Sequence, residues 1–469
     1  MRWNPTGLGL LLLIAWGPVQ AEVPRTLRLD FFHTGSATEE IFSVDRVVLE
    51  PLPWPGNPDR PLDDLAFGKY FFEVRDAKSE EPLYSRGFAS IYGEWETTGE
   101  ARRIHRTFHE SLRFPAPENP VRVVVSKRDK RNEFREVWRT EVDPTDIFVD
   151  PSPPPKVPVL EIQRRGEPSH KVDLLLLGDG YTASECALFE AQARRLTEAL
   201  FATAPFRQRQ DDFNVWGLCP PSQDSGVSRP SSGIHRRSPV GATYDAFRSE
   251  RYVLTFENRS FRDLASQVPY DVVEILVNSE TYGGGGIYGL YSTVAASNDW
   301  AEYLFLHEFG HHFAGLADEY YTSSVAYEPP EDPVEPWEVN ATLLQDPEKL
   351  KWRDLMTDTT PLPTPWPKAS YEEHSRGIQE RRRKLRAEGR PEAEMSALFR
   401  EQQNWETELF EAAEHAGAVG AFEGANYAPK GTYRPQLDCI MFSRNPVPFC
   451  AVCQRGIESV IDLLTAGPR

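Results

Sequence analysis

The chain has 469 residues, 40% of them hydrophobic and 12% aromatic, with a formal net charge of −19 at pH 7. That length holds two or three domains with real cores, and the composition is that of a globular protein. The acidic balance excludes nucleic acid and anionic membrane surfaces as partners, but it is ordinary for an exported protein and so names no substrate.

Residues 1–21 read as a secretory signal peptide. Arg2 precedes an apolar core from Leu8 to Trp16, and Val19-Gln20-Ala21 is a small-x-small cleavage site. The apolar run is well short of the ~20 residues a membrane-spanning helix needs, and no later segment qualifies. The mature chain is therefore expected to be secreted or periplasmic, without stable membrane insertion.

Residues 22–150 alternate apolar and polar positions, as in Leu27-Arg28-Leu29-Asp30-Phe31-Phe32 and Val121-Arg122-Val123-Val124-Val125. That period predicts an antiparallel β-sandwich domain. His105 and His109 have i, i+4 spacing, but on strand-rich sequence they read as solvated side chains. The proline-rich stretch 151–158 is a semi-rigid linker and the best domain boundary.

From 159 to the C-terminus strands and helices alternate. The apolar runs 172–177, 213–218 and 272–277 read as buried strands, and 183–202 as an amphipathic helix with Leu188, Ala191, Leu196 and Leu200 among its apolar positions. Four glycines at 283–286 either let a substrate approach closely or form a flexible loop. Residues 287–296 read as a strand in the place where an edge strand would hold an extended peptide. Ser297-Asn298 offers a helix N-cap, and Gly315 a C-cap. The charged segment 371–416 reads as a solvated helical hairpin inserted into the domain.

Five cysteines are too few for a disulfide scaffold. A structural zinc site asks for four ligands, and the cluster Cys439, Cys450 and Cys453 offers three. In an oxidising compartment a disulfide within this cluster is the expected form.

The chemistry concentrates in His307-Glu308-Phe309-Gly310-His311, an HExxH motif. Residues four apart share a helix face, so the two histidines can bind one metal ion while Glu308 stands beside them as a proton acceptor. Leu304, Phe305, Leu306, Phe309, Phe313 and Leu316 surround the motif, which describes a buried helix rather than an accidental surface pair. Catalytic zinc takes a third protein ligand and keeps an open position. In the pattern HExxHxxGxxH/D that ligand lies six residues past the second histidine, here Ala317. Gly315, however, stands four residues past His311 instead of three. One extra residue moves the expected ligand to Asp318, with Glu319 as the alternative. His312 faces another side of the helix and reads as structural.

This signature, with Gly178-Asp179-Gly180-Tyr181 and the tail from Tyr433 through Met441 to Cys453, resembles the bacterial IgA-peptidase-type zinc metallopeptidases. The resemblance covers about 170 to the C-terminus. It implies an α+β, metzincin-like zinc peptidase domain behind the β-sandwich domain. Zn2+ would be held by His307, His311 and Asp318, and Glu308 would be general base to a zinc-activated water. It further likens Met441 to the methionine beneath the zinc of metzincins. Tyr433 is the candidate for the developing oxyanion, as tyrosines are in some zinc peptidases.

An exported zinc endopeptidase acting on protein or peptide substrates is therefore the leading expectation. The alternatives are a cell-surface binding or adhesion protein with a structural zinc, and a zinc amidohydrolase acting on cell-wall peptides. Sequence is silent on oligomeric state and on cleavage preference.

Overall fold

A computed structural model describes residues 23–323, 325–327 and 333–467. The signal-peptide segment, 1–21, lies outside the described residues.

The N-terminal alternation becomes two antiparallel sheets. Strands β1 (Arg25–Gly35), β2 (Glu40–Pro53), β3 (Tyr70–Asp76) and β4 (Pro82–Phe88) lead to a short helix α1 (Ile91–Trp95), then β5 (Arg106–Pro115), β6 (Val121–Arg128) and β7 (Phe134–Val142). The strand orders are β2-β1-β5 and β4-β3-β6-β7. Leu27, Leu29 and Phe31 of the first sheet share one core with Phe72, Val74, Val123 and Val125 of the second. A period of two puts these residues on inner faces. His105 is exposed, but His109 is not a free solvated side chain: its Nε2 lies 3.1 Å from Asp45 Oδ2, and its Nδ1 3.0 Å from Asn258 Nδ2.

After the linker comes a six-stranded mixed sheet. Its strands are β8 (Val159–Gln163), β9 (Val172–Asp179), β10 (Phe213–Leu218), β11 (Val272–Val277), β12 (Gly284–Ile287) and β13 (Tyr291–Ala295), in the order β12-β13-β11-β9-β10-β8. The four central strands are parallel, while β8 and β12 run antiparallel at the two edges. A central parallel strand is covered on both faces, which is why 172–177 reads as an unbroken apolar run. Leu174 and Leu176 of β9 pack with α2 (Cys186–Ala202) and α4 (Ala301–Ala314), and with the C-terminal helix α7 (Ala451–Thr465). Leu175 and Leu177 face α1 and α3 (Asn258–Ala265). The chain is thus mixed α+β, with β-sheets in its N-terminal region.

Several expectations are corrected. On α2 the buried face is Phe189, Gln192, Ala193, Leu196, Leu200 and Phe201, while Leu188 is exposed. The strand before the HExxH helix is interior, because β13 is paired on both sides. The edge strand is the glycine run itself. Its outer side is met by the 251–253 segment: the Gly284 amide donates to the Arg251 carbonyl (3.0 Å) and the Val253 amide to the Gly284 carbonyl (3.1 Å). Glycines 284–286 thus form an edge strand rather than a flexible loop, covered on its outer side at Gly284. A Cβ on Gly284 would sit 3.0 Å from Glu308 Cγ, and one on Gly286 would sit 2.9 Å from His311 Cβ and run into the Glu308 carbonyl. Bare backbone there lets α4 lie directly on the sheet edge.

The segment 371–416 is a helical hairpin, α5 (Lys368–Ala387) and α6 (Glu392–Glu411). It is not wholly solvated. Tyr371, Ile378, Met395, Leu398, Phe399 and Phe410 join the main core. A last hairpin, β14 (Phe422–Ala425) and β15 (Ala428–Arg434), precedes α7.

The cysteines also differ from expectation. Cys186 and Cys219 form the disulfide, tying the start of α2 to the end of β10, and Cys439, Cys450 and Cys453 are free and buried. The two mid-chain cysteines are 33 residues apart, so only the fold of β9, α2 and β10 brings them together.

Candidate metal centre

Helix α4 carries the motif with both histidines on one face. Its N-cap is Trp300, without a side-chain cap, rather than the expected Ser297-Asn298; Asn298 instead accepts from the Trp300 amide in the turn before the helix (2.9 Å), and Gly315 ends the helix in the left-handed region at φ 58°. There the Gly315 amide donates to the His311 carbonyl (3.0 Å), the 5→1 bond of an αL cap, and the Leu316 amide reaches the Gly310 carbonyl (3.3 Å). This turn throws residues 316–319 back across the helix. Buried Asn340 holds them extended, accepting from the Ala317 amide (2.8 Å) and donating to the Ala317 carbonyl (3.0 Å).

The extra residue before Gly315 therefore delivers Asp318 to the histidines. Asp318 Oδ1 lies 3.0 Å from His307 Nε2 and 3.2 Å from His311 Nε2, and the two Nε2 atoms are 3.3 Å apart. Three donors at 2.0–2.1 Å from one tetrahedral ion would be separated by about 3.3 Å. Each histidine's other nitrogen is engaged: His307 Nδ1–H donates to the Ile440 carbonyl (3.0 Å) and His311 Nδ1–H to the Leu316 carbonyl (2.6 Å). That directs both Nε2 atoms at the cluster. Asp318 Oδ1 is buried, with the two imidazole Nε2 atoms against it but no regularly oriented hydrogen bond, a cluster whose centre a cation would fill. The donor set fits a divalent metal.

Electrostatics follow from this crowding. Burial alone would lower the His311 pKa, but the Asp318 carboxylate outweighs it and holds His311 up to about 9. Burial works against the Asp318 charge too, yet the two imidazoles keep its carboxyl well below the usual range. Burial raises Glu308, partly offset by His307 and His311.

Glu308 lines a narrow, polar cleft. Its walls are Arg251, Tyr282, Tyr303, His307 and Tyr320 on the sheet side, and Tyr371, Gln379, Gln402 and Glu406 from the helical hairpin. Arg251 Nη2 donates to Tyr320 Oη (2.8 Å), and the Tyr320 ring stacks near His307 at 6.0 Å between centroids. Tyr427 donates its hydroxyl to Asp318 Oδ2. It stands at the tip of the β14–β15 hairpin, where Asn426 and Tyr427 both adopt positive φ, 48° and 64°. Left-handed backbone at a non-glycine residue is costly, and here it docks the tip on the metal cluster: the Asn426 amide donates to the Asp318 carbonyl (2.8 Å).

The structure brings His307, Glu308, His311 and Asp318 together. It does not bring Tyr433, whose backbone pairs with Thr342 and whose charged neighbour is Glu423. Tyr433 is not among the residues lining the cleft. Glu319 turns away from the histidines, with Oε1 3.0 Å from Asn340 Nδ2 and 3.4 Å from Cys453 Sγ. Met441 lies under the helix at Gly310, where an added Cβ would stand 2.9 Å from its sulfur. His312 is structural: Nδ1–H donates to the Ile287 carbonyl and Nε2 accepts from the Val273 amide, both at 3.1 Å, and burial lowers its pKa to about 3. In Gly178-Asp179-Gly180-Tyr181, Asp179 is a loop anchor, accepting from the Val240 (3.0 Å) and Ala242 (2.8 Å) amides and from Ser238 Oγ (2.7 Å). Sequence reading missed Arg251 and Tyr427, which carry no local signal. It could have weighed Tyr320, which follows Glu319 directly.

A family profile described as IgA Peptidase M64 matches residues 160–461, and one described as Peptidase M64 N-terminus matches residues 20–139. A comparison with curated proteins gave no match. Together the two profiles cover most of the chain, which belongs to the IgA Peptidase M64 family of metallopeptidases.

Proposed function

We propose that the protein is an exported zinc-dependent endopeptidase of metzincin-like design, with residues 22–150 as an N-terminal β domain, 151–158 as linker and 159–469 as the catalytic domain. The observation that carries this reading is the convergence of His307, His311 and a buried Asp318 Oδ1 beside a buried Glu308 that opens on a cleft. Two imidazoles and one carboxylate at these separations suit zinc, and Met441, packed against the motif helix at Gly310, is the counterpart of the metzincin methionine in this reading. Export is supported by the Cys186–Cys219 disulfide, which belongs to an oxidising compartment. No described helix is long and apolar enough to cross a membrane.

When bound, zinc supplies Lewis acidity to a peptide carbonyl and makes water acidic near neutral pH. Glu308 accepts the proton of the attacking water and passes it to the departing amine nitrogen; its burial-raised pKa suits both halves of that transfer. The Ile440 and Leu316 carbonyls hold the two Nδ1–H groups and so orient both Nε2 atoms, the ones that would ligate the metal, towards Asp318. Tyr320, oriented by Arg251, faces the cleft and takes the oxyanion role first considered for Tyr433. The hairpin α5–α6 forms the opposite wall and limits what enters. Immunoglobulin in the family's description is not carried over to this chain.

The test assays the mature chain on unfolded protein and on cell-wall peptides, with and without a chelator. Chelator-sensitive hydrolysis of unfolded protein, restored by zinc, is expected. Hydrolysis of the cell-wall amide alone would make the protein an amidohydrolase. Zinc retention with no hydrolysis of either would sink the enzyme reading.

A further inference from the structure

Four buried donors outside the catalytic cluster converge on one point. Cys439, Cys450, Cys453 and Glu319 each offer an atom within 4.8 Å of the others, and all four residues are buried. The three cysteines alone fall one short of a structural zinc site; the fold supplies the fourth ligand from the segment that follows the metal-motif helix. Cys439 Sγ lies 3.9 Å from Cys453 Sγ, and Glu319 Oε1 lies 3.4 Å from Cys453 Sγ and 3.8 Å from Cys450 Sγ. A tetrahedral zinc with Zn–S near 2.3 Å and Zn–O near 2.0 Å separates its ligands by about 3.8 Å (S···S) and about 3.5 Å (S···O). A disulfide needs its sulfurs about 2.05 Å apart. Glu319 Oε2 is buried with no hydrogen-bond partner.

Backbone amides point at two of the three sulfurs. The Cys450 amide donates to Cys439 Sγ (3.2 Å), the Cys453 amide to Cys450 Sγ (3.4 Å) and the Met441 amide to Cys439 Sγ (3.5 Å). Cys450 is the N-cap of α7, so its sulfur also meets the positive end of a helix. Arg434, fully buried, acts on Glu319 electrostatically and offsets part of the ligands' charge.

We infer that Cys439, Cys450, Cys453 and Glu319 hold a second, structural zinc ion, distinct from the ion of the HExxH cluster. It cross-links three segments: the chain after α4 at Glu319, the segment of Cys439 to Met441, and the start of α7 at Cys450 and Cys453. The Glu319 amide donates to the Met441 carbonyl (2.9 Å), and Ile440 holds His307. The ion thereby fixes both Asp318 and the carbonyl that orients His307. Three thiolates favour zinc over hard cations.

The test is metal stoichiometry and thiol count on the full mature chain. Native protein is expected to hold two zinc ions, and the His307→Ala/His311→Ala variant one. Cobalt loaded into that variant is expected to show thiolate-to-metal charge transfer, and Glu319→Gln to weaken retention at the second site by at least about tenfold. Denatured, chelator-treated native chain is expected to expose three thiols. The zinc absorption edge of native protein gives a readout even if a variant misfolds: sulfur is expected in its coordination shell. A native shell without sulfur, or one reactive thiol per denatured chain, would overturn the inference. Loss of activity with the sulfur-bound ion retained would count against the peptidase reading instead.

Discussion

Asp318 and Glu319 are consecutive residues whose carboxylates enter two different donor clusters. Asp318 Oδ1 lies 3.0 Å from His307 Nε2, while Glu319 Oε1 lies 3.4 Å from Cys453 Sγ. Extended backbone points neighbouring side chains to opposite sides. Here that alternation assigns one carboxylate to each cluster.

The two substitutions should therefore separate. Asp318→Asn keeps an oxygen for Tyr427 but loses the charge facing the histidines. Its catalytic metal should be lost on dialysis, and kcat/KM for peptide hydrolysis should fall by more than about a hundredfold, beyond the range for an outer-shell partner. Glu319→Gln should cost the sulfur-bound ion directly and loosen the histidine-bound ion only through the lost support behind Asp318 and His307. Zinc content and steady-state kinetics on both variants check this.

Metal binding must displace a proton from His311. With its pKa held up to about 9, the ring is charged at neutral pH in the metal-free protein. Apparent zinc affinity should fall about tenfold for each pH unit below 9 through this proton alone. The stability sign also follows. A histidine raised in the folded state stabilises fully below its unfolded pKa of about 6.5, and the benefit is lost as pH rises through about 9. Chelator-stripped protein should lose thermal stability between these values, and His311→Gln should remove the slope. A flat profile in stripped native protein would contradict the pairing.

Gly286→Ala tests whether α4 needs a bare sheet edge. The new methyl would press on the Glu308 carbonyl and on His311 Cβ, both part of the motif helix. Overpacking of this kind costs about 1–3 kcal/mol. Urea melts should show that loss together with weaker zinc retention, whereas Gly377→Ala, with open space around its position, should show neither.

Glu406 lines the cleft from the hairpin, and burial raises its pKa to about 7 against the lowering effect of its hydrogen bond from Gln402. A carboxyl raised on folding costs stability as pH climbs from its unfolded value to the folded one. Glu406→Gln should gain up to about 3 kcal/mol over native at pH 8 and nothing at pH 4. Equal stability at both pH values would remove Glu406 as a buried carboxyl.

Much of this was legible in the sequence because local spacing carries it. The i, i+4 histidines and Gly315 sit within one helix and its cap, so Asp318 could be found by counting. The strand runs of 172–177 and 272–277 announce themselves through continuous apolar residues. What stayed hidden depends on distant chain segments. Tyr427 reaches Asp318 across 109 residues, and Glu319 completes a cysteine cluster whose farthest member is 134 residues away. Glycines 283–286 have the composition of a loop; their strand role shows only once α4 lies on them. Tyr433 was singled out by residue type and position in the tail, and its placement on β15 depends on register that spacing does not specify.

The central claim is that Glu308 moves the proton in a metal-assisted peptide hydrolysis. The most direct measurement is kcat of Glu308→Gln against native protein at equal zinc content, on the same unfolded protein substrate. The account predicts unchanged zinc and a kcat lowered by about 10²–10⁴. Equal kcat at equal zinc content would contradict it.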